Sequence, residues 1–316
     1  MGHVFATTSV LFVAIFLGFG FGHSRVFKAG TDITLIHYVF YVALPLALFL
    51  SCYKSHFSLA ELHYSLAYGL AMVIIIALIL FISYKLMGKS LAESVMNSIA
   101  VSQVDGAYFT IPLFMLIFAS PALAIPLMAI QNIIFFTLAI LVIEILISAK
   151  NKKNNNQKYL KFVLQRIIAV IFTNPIIASS LLGFVVGALE VPLNDHVVKF
   201  LHFMGGTSAP VALFALGISC AHHIKSLKLG SDLFSITLIT VFKLILFPVI
   251  AWIVGWLMHL PHELLLALVL LCASPTATHN YIIANKYQLG AQTQTFVVVV
   301  TTLLSFITIN FWLYIL

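Results

Sequence analysis

Between Ala149 and Lys161 lies the one extended hydrophilic stretch of this chain, and on either side of it the sequence is written in apolar runs long enough to cross a lipid bilayer. A hydrocarbon core of about 30 Å takes about 20 apolar residues of helix. Divided on that measure, the chain gives ten segments, near 4–23, 32–52, 59–84, 91–118, 121–148, 162–188, 195–222, 230–258, 263–285 and 290–315. Soluble domains carry roughly 25% charged residues, whereas this chain has 8% charged against 62% hydrophobic. Lipid supplies no partners for backbone polar groups, so the runs must be helices. The expected class is an all-α polytopic membrane protein, its first segment a retained helix and not a cleaved leader.

The net charge of +7 invites a nucleic-acid reading, but its distribution answers that. Thirteen basic residues fall on one side of the predicted segments: Arg25, Lys28, Lys85, Lys89, Lys150, Lys152, Lys153, Lys158, Lys161, Arg166, Lys225, Lys228 and Lys286. Lys54 and Lys199 fall on the other, and Lys243 lies inside a segment. By the positive-inside rule the crowded side is cytoplasmic and both termini are outside. The charge is topological, and no nucleic-acid partner is expected.

The hydrophilic stretch divides the chain into a first five-helix repeat at 1–148, a cytoplasmic linker at 149–161 and a second repeat at 162–316. A short pattern recurs across it. His37 is followed by Pro45-Leu46-Ala47-Leu48-Phe49, and His202 by Pro210-Val211-Ala212-Leu213-Phe214. Each copy has a second proline at a similar distance, Pro112 being 67 residues after Pro45 and Pro275 being 65 after Pro210. Five being odd, a repeated unit must re-enter the membrane upside down, so the expectation is a 5+5 inverted repeat with broken helices in matching places. A proline within a helix removes one hydrogen bond and clashes one turn back, and in a membrane the freed groups need protein, water or ligand. Pro126, Pro175 and Pro248 read as ordinary kinks; the repeated pairs point to a substrate site.

Few ionisable groups sit at mid-depth, where each costs about 2.5–3.5 kcal/mol to insert. They are Asp105, Lys243 and His279, and two of them flank the breaks: Asp105 precedes Pro112 by 7 residues and His279 follows Pro275 by 4. Asp105 escapes a bare buried charge by pairing with Lys243 or His279, or by taking a proton, which costs about 4 kcal/mol at pH 7 from a reference pKa of about 3.9. A group so balanced suits proton coupling. Polar residues near the breaks, Ser102, Gln103, Tyr108, Thr110, Ser274, Thr276, Thr278 and Asn280, either bind a ligand or re-satisfy freed backbone. Gln131 and Asn132 are adjacent amides, about 100° apart on a helix, so at least one faces protein or water.

Enzyme chemistry is not expected. The histidines fall mostly at segment ends, and neither His222-His223 nor His259…His262 belongs to a metal-ligand series. Gly205-Gly206-Thr207-Ser208 has no base at matching spacing, and Asp105-Gly106 lacks the second aspartate of an intramembrane protease. The cysteines Cys52, Cys220 and Cys272 stand singly and read as packing residues. No cofactor or resident metal is implied.

Several motifs taken in order resemble the auxin efflux carrier family, over essentially the whole chain. They are Phe40-Tyr41-Val42-Ala43-Leu44-Pro45, Tyr108-Phe109-Thr110-Ile111-Pro112-Leu113, Gln131-Asn132, Asn174-Pro175, the run Ala209 to Gly217, Lys243-Leu244 before Pro248, and Pro275-Thr276-Ala277. The resemblance is to bacterial carriers of the malonate or malate type. It implies a fold like that of sodium/proton antiporters and bile-acid symporters, with segments four and nine crossing at their prolines. It also implies elevator-like movement of segments 3–5 and 8–10 against a scaffold of 1, 2, 6 and 7. Where this family commonly has asparagines, at the positions before Pro112 and after Pro275, this chain has Asp105 and His279. An added carboxylate repels an organic acid, so an anionic substrate requires Asp105 to be protonated or neutralised by His279 or Lys243.

The functional expectation is a proton-coupled secondary transporter of a mono- or dicarboxylate in a bacterial inner membrane. Its site residues are Asp105, His279, Lys243, Tyr108, Thr110, Ser274, Thr276, Asn280, Gln131 and Asn132, framed by Pro112 and Pro275, with Pro45 and Pro210 shaping the scaffold. The alternative is a Na⁺-coupled carrier, or one for a cationic or zwitterionic substrate, that uses a charged Asp105. A non-transporting receptor or scaffold would need a soluble domain or tail that the short linker does not supply. Partners are the substrate and the bilayer, and a homodimer is left open.

Overall fold

A computed structural model describes residues 2–24, 26–28, 30–53, 59–150, 175–225, 232–277, 280, 283, 284 and 287–316. Thr278 and His279, most of the 149–161 linker and the first half of the segment at 162–188 lie outside them. The described residues are 84% helix, with no β-strand among them. Among the described residues six helices are long and apolar enough to cross a membrane: Thr31–Leu50, Leu62–Leu86, Ala124–Ile147, Asp195–His222, Leu233–Leu257 and Ala291–Ile315. Large apolar side chains point outward along them, Phe203 being 75% exposed and Trp256 67%. Apolar surface this extensive has no place in water and is ordinary against lipid chains. The protein is integral to a membrane.

The elements in order are α1 (Gly2–Gly22), α2 (Thr31–Tyr38 and Leu44–Tyr53), α3 (Leu59–Phe81), α4 (Leu91–Ser102, resuming at Ile111–Ile117) and α5 (Ala124–Ala129 and Thr137–Lys150). After the linker come α6 (Pro175–Ala188), α7 (Asp195–Gly205 and Ser208–Lys225), α8 (Leu233–Val241 and Phe247–Leu257), α9 (His262–Ala273) and α10 (Ala291–Ile315). Wider π-helical turns interrupt α2 at Val39–Ala43, α5 at Ile130–Phe136 and α8 at Phe242–Leu246, and one at Gly106–Thr110 leads into the second part of α4. Such turns shift the register of a helix face and occur often at functional sites. Helix starts carry their own caps. Ser90 and Glu93 form a reciprocal capping box on α4, and Asp232 accepts from the Ser235 amide at 3.1 Å on α8.

Two contacts hold the outer helices together, and they match. Against α7, α1 approaches so closely that a Cβ on Gly18 would overlap the Phe214 carbonyl, while Gly22 packs on Ile218 and Ala221 and Gly217 on Ile15. Against α2, a Cβ on Gly183 of α6 would overlap the Phe49 carbonyl, and one on Gly187 the Tyr53 carbonyl. Small residues four apart let membrane helices meet backbone to backbone, where dispersion and not the hydrophobic effect holds them. Gly183, Gly187 and Phe214 each lie 165 residues after Gly18, Gly22 and Phe49, the same interval that separates Pro45 from Pro210. Each half thus lends its first helix to the other. Pro45 follows the π-helical turn of α2, and Pro210 sits in the first turn of the second part of α7, after the Gly206-Thr207 interruption.

Candidate functional site at the crossing of two broken helices

α4 and α9 both stop midway and continue as extended chain. The α4 helix gives way at Gln103 (φ −79, ψ 128) and α9 at Ser274 (φ −62, ψ 149). The extended pieces meet as an antiparallel bridge between Val104 and Thr276. In it the Asp105 N–H donates to the Pro275 carbonyl at 2.9 Å and the Ala277 N–H to the Gln103 carbonyl at 3.3 Å. Pro275 fits because the bridge asks it only for its carbonyl. Pro112 lies in the first turn of the resumed helix Ile111–Ile117, where a missing N–H does little harm.

Most of the polar side chains around this crossing hold backbone in place. Gln131, 1% exposed on the π-helical turn of α5, accepts from the Val104 N–H at 3.1 Å and donates to the Val104 carbonyl at 3.1 Å. Its amide acts as one more strand beside the bridge, and the Tyr68 hydroxyl donates to its Oε1 at 2.9 Å. Thr110 donates through both its amide, at 2.8 Å, and its hydroxyl, at 3.0 Å, to the Asp105 carbonyl. On the second arm the Thr276 N–H donates to Thr301 Oγ1 at 3.2 Å, its hydroxyl to the Ala100 carbonyl at 2.7 Å, and the Ser274 hydroxyl to the Leu270 carbonyl at 3.0 Å. Unpaired groups here would each cost several kcal/mol in a membrane, so these bonds allow the crossing to exist.

Two residues stand apart, beside Gln103, whose Oε1 at the α4 break is also unbonded among the described residues. Lys243, fully buried on the π-helical turn of α8, has no hydrogen-bond partner for its Nζ among the described residues. The nitrogen lies 5.0 Å from the Phe247 ring centre, and its charge is felt by Asp105 and Cys272. Asn280, also fully buried, leaves both side-chain atoms unbonded while its N–H donates to the Ala277 carbonyl at 3.1 Å. Asp105 is 3% exposed and interacts electrostatically with Lys243 and with Cys220 of α7. The crossing therefore gathers an acidic, a basic and an amide side chain in a low-dielectric setting, where any charge acts strongly.

Of the residues the sequence singles out, Asp105, Thr110, Ser274, Thr276, Asn280 and Gln131 belong to this crossing, with Lys243 in electrostatic reach. Tyr108 lies on the π-helical turn Gly106–Thr110, and Asn132 is half-buried on α5 beside Gln131. Sequence reasoning passes over Tyr68 and Thr301, which hold the crossing from behind. Each is a buried polar group in an otherwise apolar helix, Thr301 directly after Val297-Val298-Val299-Val300.

Two half-helices ending against each other inside a membrane, with unbonded polar groups at the break, define a membrane transport protein. The chain belongs to the auxin efflux carrier family: the family model described as "Membrane transport protein" matches residues 3–313. A protein of Rhizobium meliloti (strain 1021) named "Putative malonate transporter" is 26% identical over 245 residues, which cover 76% of this chain and 73% of that protein.

Proposed function

We propose that the protein is a secondary carrier of a small organic anion, a mono- or dicarboxylate, coupled to protons through Asp105. The observation that carries this reading is Lys243, fully buried with no hydrogen-bond partner for its Nζ among the described residues and in electrostatic reach of Asp105. A cation so placed serves either a carboxylate of the protein or one of a ligand. When Asp105 takes a proton, Lys243 is released to the substrate; when Asp105 is charged, the two neutralise each other and the anion is not held. That alternation links proton and substrate in symport. Asn280, with both amide atoms unbonded, supplies a donor for a carboxylate oxygen, and His279 is the adjoining second-arm position. The relative's printed name makes malonate the first substrate to test.

In this reading the chain crosses the membrane ten times as two inverted five-helix repeats, 1–148 and 162–316, joined by a cytoplasmic linker, with both termini outside a bacterial inner membrane. The exchanged glycine contacts of α1 with α7 and of α6 with α2 support the repeat, because a two-fold axis in the membrane plane would relate them. They also suit a scaffold of 1, 2, 6 and 7, against which 3–5 and 8–10 move in an elevator-like cycle.

Proteoliposomes with an imposed pH gradient should take up labelled malonate. Asp105→Asn should abolish the stimulation by the gradient while leaving malonate exchange measurable. Uptake by that variant with an unchanged pH profile would sink the coupling role. Flux that follows Na⁺ in the native protein and loses that dependence in Asp105→Asn would transfer the role to a sodium ion.

A further inference from the structure

A line of polar residues leads away from the crossing along α8, and the carrier reading leaves it unexplained. Asp232, Ser235, Thr240 and Lys243 follow one another along α8 at intervals of 3, 5 and 3 residues. Ser235 and Thr240 are 1% and 5% exposed and lie on the face that α8 turns to α4 and α10. At about 1.5 Å per residue the line is about 16 Å long, close to half of an approximately 30 Å hydrocarbon core. Its outer end is wet: Asp232 accepts from Lys89 Nζ at 2.7 Å, with both side chains about one-third exposed. Its inner end is the buried ammonium of Lys243.

At its outer end Asp232 accepts from the Ser235 amide at 3.1 Å and from the Ser235 hydroxyl. Further in, Thr240 Oγ1 and Lys243 Nζ have no hydrogen-bond partner among the described residues. On the neighbouring α10, Gln294 donates to Asn97 Oδ1 of α4 at 3.0 Å, yet its own Oε1 has no partner among the described residues although the residue is 1% exposed. Buried polar atoms are nearly always hydrogen-bonded, to protein or to ordered water. An apolar seam would have been simpler to build in a membrane, and three adjacent helices each place an unsatisfied or polar group on this one. We infer that the seam between α4, α8 and α10 is a hydrated half-channel, carrying water and protons between the Lys89–Asp232 end of the protein and Lys243 at the crossing.

The inference rests on the carrier reading for its purpose, and its test does not need a transported substrate. In protein with Cys52, Cys220 and Cys272 replaced by alanine and held in lipid nanodiscs, single cysteines are introduced by Ser235→Cys, Thr240→Cys and Ala251→Cys. Ala251 is fully buried in apolar core two turns beyond Lys243. Modification by 2-aminoethyl methanethiosulfonate is followed by intact mass. Because the thiolate is the reacting form and forms poorly in apolar surroundings, Ser235→Cys and Thr240→Cys should react roughly tenfold or more faster than Ala251→Cys. If Thr240→Cys does not fold, Gln294→Cys reads the seam from α10. A monodisperse Thr240→Cys or Gln294→Cys protein that stays unmodified, or three positions that react alike, overturns the half-channel. Labelling without malonate uptake would instead count against the carrier reading alone.

Discussion

The contacts of α1 with α7 and of α6 with α2 are near copies of each other, while the two arms of the crossing are not. In the first pair, glycines at equivalent positions meet carbonyls at equivalent positions, Gly18 with Phe214 and Gly183 with Phe49. In the second, the α4 arm is held by a two-bonded side-chain amide, Gln131 on Val104, and the α9 arm by one hydroxyl, Thr301 on Thr276. The first arm carries an aspartate, and the second an asparagine with no partner. Where only close approach matters, the two contacts are alike; where polar groups gather, the two arms differ.

The glycine contacts offer the largest expected effects. Gly18→Val and Gly183→Val each force a side chain into backbone that cannot retreat, at about 3 kcal/mol or more, the upper range of overpacking. Both should lose monodisperse protein on size exclusion and melt far lower, and to similar extents. If one is tolerated and the other is not, the two contacts are not equivalent.

Next come the arms. Gln131→Leu leaves the Val104 N–H and carbonyl both unpaired and should lower stability by about 2–3 kcal/mol. Thr301→Val orphans only the Thr276 N–H and should cost about 1 kcal/mol. Thermal melts of the two variants in one detergent compare them directly, and equal losses would erase the difference between the arms.

The smallest effect belongs to Asp232, beyond the membrane-spanning part of α8. Hydrogen bonds from Lys89 and then from Ser235 lower its pKa to about 2. A lowered carboxylate pKa adds stability above its unfolded value of about 3.9, and that stability is lost as pH falls toward 2. The pair is partly exposed, so Asp232→Asn should cost less than about 1 kcal/mol near neutrality. Its melting temperature should approach that of the native protein as the pH is lowered from about 4 to about 2. A gap that stays constant over that range would mean that the cap and not the charge carries the effect.

Much of this was legible in the chain. Apolar run length marks the helices, and the α9 break falls at Pro275 as the paired prolines suggest, whereas the α4 break lies at Gln103–Asp105, before the resumed helix that holds Pro112. What stays hidden is which polar side chains are already engaged. Thr276, Thr110 and Gln131 look like ligand donors in a sequence, yet each bonds a backbone atom that only the crossing brings near. Lys243 and Asn280 carry no written sign that their side chains lack such partners among the described residues. Gly183 and Gly187 pass for ordinary small residues until α2 is seen lying across them, because residues more than a hundred positions apart decide their meaning.

The exchanged glycine contacts also set a timetable for synthesis. Gly18 waits for Phe214, 196 residues later in the chain. At roughly 5–20 residues per second that is about 10–40 s during which α1 is in the bilayer without its partner. Its smooth glycine face must meanwhile rest against lipid, an insertion chaperone or another nascent helix. Mutations that speed or slow translation across the 149–161 linker should therefore alter yield without touching a single contact of the finished protein.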